Sequence, residues 1–121
     1  MADLSELGTL FGGLRVAITV ADEEYRIIFM NDLAIEHYAA RGGETLIGTD
    51  LLACHNARSQ ATIRQMYDRY RAGDLAPTRY RIAQKDGRIQ GIVLIPLIVG
   101  NQFKGIAELL WYERPELVFD T

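Results

Sequence analysis

The chain has 121 residues, 49% hydrophobic and 24% charged, with a formal net charge of −3 and one cysteine. These figures describe one ordinary globular domain rather than a disordered chain, and one cysteine excludes an intrachain disulfide or a multi-cysteine metal site. The mildly acidic balance argues against direct binding of nucleic acid or an anionic membrane. MADLSEL, at the start, lacks the basic and apolar regions of a signal peptide. The longest apolar run, Ile92 to Val99, is far short of the ~20 residues a spanning helix needs. A cytoplasmic domain without membrane partners is the expectation, and a single thiol fits a reducing compartment.

Leu4, Leu7, Leu10 and Phe11 recur at three- and four-residue steps, which predicts a short amphipathic helix. Asp3 or Ser5 would cap its start and Gly12-Gly13 its end. So short a helix needs a partner for its apolar stripe, either the domain or a second chain. Arg15 to Ala21 and Tyr25 to Met30 read as two strands, joined by the polar turn Asp22-Glu23-Glu24. Asn31 suits a strand-to-helix junction, with a helix over Asp32 to Ala40 ended by Gly42-Gly43. Thr45 to Cys54 is ambiguous and leaves room for one or two short helical turns.

The clearest helix runs from Asn56 to Ala72, with Ile63, Met66, Tyr67 and Tyr70 on one face. Arg64, Asp68, Arg69 and Arg71 read as its solvated side. From Pro77 onward the chain reads as β. Arg79 to Ile82 alternates, Asp86-Gly87 marks a hairpin, and Gly100-Asn101-Gln102 separates the strands Arg88 to Val99 and Phe103 to Tyr112. Two early strands, a helical middle and a three-stranded meander predict an α+β fold. Its core would be one five-stranded antiparallel sheet with helices on one face.

Several short motifs occur in that order: Asp22 to Asn31 (DEEYRIIFMN), Leu46-Ile47-Gly48, Arg71-Ala72-Gly73, Lys85-Asp86-Gly87-Arg88, and Gly100 to Gly105. With this element order, the span from Arg15 to Tyr112 resembles the PAS domain, a sensor module of bacterial signalling proteins. A narrower likeness lies in Gly48 to Gly73, where Cys54-His55 follow the glycine by six and seven residues. This stretch is similar to PAS domains attached to some bacterial hemerythrin-like proteins. Their Cys-His-Pro motif opens the long helix, and Asn56 stands here in place of the proline.

The resemblance implies a pocket between the inner sheet face and the middle helices, and signalling through dimer or effector contacts. It divides the chain into an N-terminal dimerisation helix (1–14), the PAS domain (15–114) and a C-terminal tail (115–121). Leu4, Leu7, Leu10 and Phe11 become the dimer interface, and the output domain or protein lies outside this chain. Carried onto this sequence, the pattern turns Ile28 and Met30 inward and Ile27 and Phe29 outward. Ala34, Tyr38, Met66 and Tyr67, with Cys54 and His55, complete the candidate pocket. The plainer reading is that these residues fill the core, as a Met and aromatic stripe at helical spacing usually does. A filled or nearly filled core is the expectation from the residues themselves. Trp111 and Tyr112 are expected on the outer face or at a dimer seam.

Catalytic signals are absent, so no enzyme activity is expected. His37 and His55 are the only histidines, and neither belongs to a metal motif. No phosphate loop or nucleophile elbow occurs. The cofactor is unassigned. His55 gives a haem alternative, because some PAS domains hold haem through a histidine near the long helix; its plainer role is to cap that helix together with Asn56. Cys54 lacks the flanking residues of flavin-binding PAS relatives, and Met30 and Ala34 stand where photoactive yellow proteins hold their chromophore. A buried structural thiol is the default for Cys54. The function implied is sensing of a small ligand or redox state, the alternative being a ligand-free dimerisation module.

Overall fold

The computed structural model describes residues 4–120, apart from the side chains of Leu4 and Phe11. Asp3, one of the two expected caps of the first helix, lies outside the described residues. In order the chain forms α1 (Leu4–Gly12), β1 (Ala17–Asp22), β2 (Ile27–Met30), α2 (Asp32–His37), three 3-10 turns (Ala39–Arg41, Gly43–Leu46, Leu51–Cys54), α3 (Ala57–Arg71), β3 (Thr78–Ala83), β4 (Ile89–Val99) and β5 (Gln102–Glu113). A last 3-10 turn, Pro115–Leu117, follows. The strands make one antiparallel sheet in the order β2-β1-β5-β4-β3. Among the described residues no helix is long and apolar enough to cross a membrane.

Asn31 ties the first hairpin to α2. Its Oδ1 accepts from the backbone N–H of Ile18 and of Ala34, both at 3.0 Å, and its Nδ2 donates to the Val16 carbonyl at 2.8 Å. The side chain is thus both a helix cap and a bridge to β1, which explains why an amide is buried there. Helix α2 is shorter than the predicted Asp32 to Ala40 and passes into the tighter turn Ala39–Arg41.

The inward parity predicted for β2 is wrong at two residues, Ile27 and Ile28. Ile27 and Met30 are buried, whereas Ile28 and Phe29 are 52% and 49% exposed. The register explains it: Val20 faces Phe29 but Ala21 faces Ile27, so Ile28 is an extra, bulged residue. A bulge shifts the alternation by one, and Ile27 takes the inward place expected of Ile28. The outer edge of β2 is covered by the loop after Ile47. Ile27 N–H donates to the Thr49 carbonyl, and the N–H groups of Gly48 and Leu51 donate to the carbonyls of Ile27 and Tyr25, at 2.9, 2.7 and 2.7 Å.

A second bulge lies between Leu97/Ile98 of β4 and Gly105/Phe103 of β5. There Gly105 has φ of 138°, and a Cβ at that position would overlap the Ala21 carbonyl. Only glycine permits so close a passage of β5 along β1. On the outer face, Trp111 lies against Gly91, where a Cβ would come within 2.5 Å of its indole ring. Tyr112 points to the opposite face and lies beside His37, with ring centroids 6.2 Å apart. Consecutive strand residues point to opposite faces, so the two aromatics cannot share the outer face.

Helix α3 is capped by Asn56, whose Oδ1 accepts from Ser59 N–H at 2.9 Å. Its C-terminal half is fixed to the sheet. Tyr67 hydroxyl donates to the Asp22 carbonyl at 2.8 Å, Tyr70 hydroxyl to the Leu94 carbonyl at 3.1 Å, and Arg71 to the Glu23 carbonyl. Tyr25, with φ of 66°, stacks on Tyr67 at 4.2 Å between centroids. Near its N-terminal end, Gln60 ties the helix to the preceding turn through the carbonyls of Leu52 and His55, both at 2.9 Å.

Candidate functional site

The core is divided. One cluster joins Ala17, Ile27, Met30, Ala34 and Leu110, and a second joins Ala21, Met66, Tyr67, Tyr70 and Ile106. Between the inner sheet face, the 3-10 turns and the N-terminal part of α3 lies a cavity of about 360 Å³. That volume falls within the size of small-molecule sites, roughly 300–1,000 Å³. The filled core expected from the residue pattern is therefore not what forms. The bulky side chains of α3, Tyr67 and Tyr70, pack toward its C-terminal half, and the space ahead of Met66 stays open.

Of the candidate pocket residues, Met30, Tyr38, Cys54, His55 and Met66 line this cavity. Ile28 does not, for the bulge reason given above. Ala34 is fully buried in the first cluster beneath α2, and Tyr67 is fully buried in the second. Cys54 is exposed rather than buried, because it ends a turn in which Leu52 is the residue turned inward. Among the dimer candidates, Leu7 and Leu10 are 39% and 66% exposed. The side chains of Leu4 and Phe11 lie outside the described residues.

Beyond Met30 of β2, sequence reasoning missed what β1, β4 and β5 contribute. Ile92, Leu94 and Ile106 form an apolar floor, and Leu46, Leu51 and Ile63 form the facing walls. Thr19 and Glu108 are cross-strand partners in the middle of that floor. Tyr38 hydroxyl donates to Glu108 Oε1 at 2.6 Å. Burial, and then the adjacent Glu108 carboxylate, push the Tyr38 phenol far above its ordinary value near 10. Thr19 is 8% exposed, and its hydroxyl has no hydrogen-bond partner among the described residues. Leaving such a group unpaired costs about 1–3 kcal/mol. Exposed Arg41 and Arg58 stand at the rim. A signal for Glu108 was present in the sequence: it alternates with Ile106 and Leu110 and so occupies an inward position in an apolar strand.

His55 sits outside α3 in extended backbone and lines the cavity. Its Nδ1 lies 2.8 Å from the Leu51 carbonyl oxygen. A carbonyl only accepts, so Nδ1 carries the proton and Nε2 keeps its lone pair in the neutral ring. Among the described residues no three His, Cys, Asp or Glu side chains are grouped to hold a metal ion.

No protein-family model matches the sequence, and no curated protein matches it. Solved structures do match. A C-terminal domain from Streptococcus mutans is similar with a TM-score of 0.75 at 12% identity, covering 90% of this chain and 84% of that one. A PAS domain from Colwellia psychrerythraea gives 0.63 at 22% identity, covering 89% and 94%. This chain has the PAS fold. A sensory box sensor histidine kinase from Vibrio cholerae shares the fold at a TM-score of 0.60 and 17% identity, covering 91% and 90%. In this PAS fold, the candidate site lies between the five-stranded sheet and α3.

Proposed function

We propose that the chain is a sensor module that binds a small organic molecule in its central cavity and signals through a second copy of itself and a separate output domain or protein. The observation that carries this reading is the open, mostly apolar cavity with a buried Thr19 hydroxyl in its floor that has no partner among the described residues. A small molecule that fills a largely apolar recess of this size buries apolar surface there, and binding to the folded form stabilises it. The fold similarity to sensor histidine kinase structures supports a signalling role. The module acts in the cytoplasm, without membrane or nucleic-acid contacts and without catalysis. The narrower likeness to PAS domains attached to hemerythrin-like proteins, carried by Cys54-His55, belongs to the same reading.

In this reading α1 carries the signal outward. Its exposed Leu7 and Leu10 meet a second copy, and cavity occupancy shifts the balance between two arrangements of that contact. Deleting residues 1–13 then converts a dimer to a monomer by light scattering. A native mass and absorbance spectrum of the freshly purified protein tests the ligand. The expected result is a bound organic mass, or an apo protein whose melting temperature rises when small molecules that fit the cavity are added. An apo mass with no stabilising small molecule refutes the sensor reading and leaves a ligand-free dimerisation module.

One observation favours a second reading, haem held by His55. The Leu51 carbonyl fixes the proton on Nδ1, which orients the ring as in ligating histidines and leaves Nε2 free to bind iron. Haem would supply a gas- and redox-responsive iron. Expression with added haem should then yield a Soret band that is lost in His55→Ala, and haem-supplied protein without a band rules this reading out.

A further inference from the structure

We infer that the cavity takes a small, mostly apolar molecule whose polar head is a protonated amine, seated against Glu108 and Thr19. This rests on the reading of the cavity as a ligand site. The floor of the cavity is apolar at Ala21, Ile92, Leu94 and Ile106; its polar groups are Thr19 of β1, which faces Glu108 of β5, and the exposed Tyr80 of β3. An ionised carboxylate accepts and does not donate, and a hydroxyl both accepts and donates. Tyr38 occupies Glu108 Oε1, so the second carboxylate oxygen and the Thr19 hydroxyl are open to a partner.

An ammonium group brings three donors and the opposite charge. A neutral alcohol brings one donor and no charge. A carboxylic acid brings a like charge into an apolar setting, where repulsion is stronger than in water. Three positively chargeable groups also face the cavity: Arg41, Arg58 and His55. Both arginines are exposed, so water and salt screen them more than the floor. They govern the open end, where an anionic tail is tolerated. At about 360 Å³ the space suits a molecule with one ring or a short chain.

Calorimetry on the full chain, with three probes of one skeleton, tests this: 2-phenylethylamine, 2-phenylethanol and 3-phenylpropionate at neutral pH. The amine is expected to bind about tenfold tighter than the alcohol, in keeping with a charge-assisted hydrogen bond, and the acid weakest. Glu108→Gln should bring the amine to the alcohol's affinity while leaving the alcohol unchanged. Thr19→Val guards against misfolding. It should stabilise the apo protein, since it removes an unpaired hydroxyl, and weaken the amine. Tightest binding by the acid or alcohol, or undiminished amine binding in Glu108→Gln, overturns the amine assignment and leaves the sensor reading standing. Binding of none of the three overturns the assignment. If no other small molecule stabilises the protein either, the sensor reading falls with it.

Discussion

Replacing Asn31 by alanine removes three hydrogen bonds at the junction of β1, β2 and α2. Two are bonds from the N–H groups of Ile18 and Ala34 to Oδ1 at 3.0 Å, and one is from Nδ2 to the Val16 carbonyl at 2.8 Å. Loss of the helix cap costs about 1 kcal/mol. The Ile18 N–H and Val16 carbonyl are part-buried, and each left unpaired costs about 1 kcal/mol more. The expected total is about 3 kcal/mol, a large share of the roughly 5–15 kcal/mol that holds a domain together. Urea unfolding followed by circular dichroism reads it directly: with a slope near 1.5 kcal/mol/M, the midpoint should fall by roughly 2 M. Asn31→Asp keeps the one accepting oxygen, Oδ1, but sets a second carboxylate oxygen against the Val16 carbonyl, so two acceptors face each other and this variant should destabilise as well. A loss under about 1 kcal/mol for the alanine variant would refute the view that this side chain is a bridge as well as a cap.

Gly105→Ala should destabilise by at least about 3 kcal/mol, because its φ of 138° and the Ala21 carbonyl both exclude a Cβ; thermal melts check this. Gly91→Val should dislodge the only tryptophan, Trp111, from its seat, and its fluorescence maximum should move to the red with the fold retained by circular dichroism. Burial, with Glu108 beside Tyr38 and Asp22 beside Tyr67, raises both phenols above their ordinary value near 10. The unfolded chain therefore loses these protons first, so their contribution is full below about pH 10 and fades as pH rises beyond it. Urea midpoints compared at about pH 9 and 11 should fall, and Tyr38→Phe and Tyr67→Phe should each flatten that fall.

The order of elements was legible because each signal is local. Asn31 and Asn56 mark the helix starts they cap, and Gly87 and Gly100 mark turns that need positive φ. The bulge at Ile28 was not legible, because it depends on how β2 meets β1 rather than on its own residues. The same holds for the cavity. Periodicity tells which side chains point inward, but the space they leave depends on distances between elements. Glu108 holds an inward position that the alternation of β5 exposes, but a lone carboxylate in a strand matches no binding or catalytic motif. Cys54 was misplaced for a related reason: a thiol's average burial says little at the end of a 3-10 turn.

The attachments of α3 are unequal along its length. Tyr67, Tyr70 and Arg71 fasten its last turns to backbone carbonyls of the sheet and of the first hairpin, whereas Gln60 ties its opening turns to the carbonyls of Leu52 and His55 in the segment just before the helix. The helix is thus a lever with its fulcrum at the two tyrosines and its free arm over the cavity. On the proposed reading of the cavity, a guest that needs more room would gain it by lifting that arm, together with Cys54 and His55, while the core beneath the fulcrum stays shut.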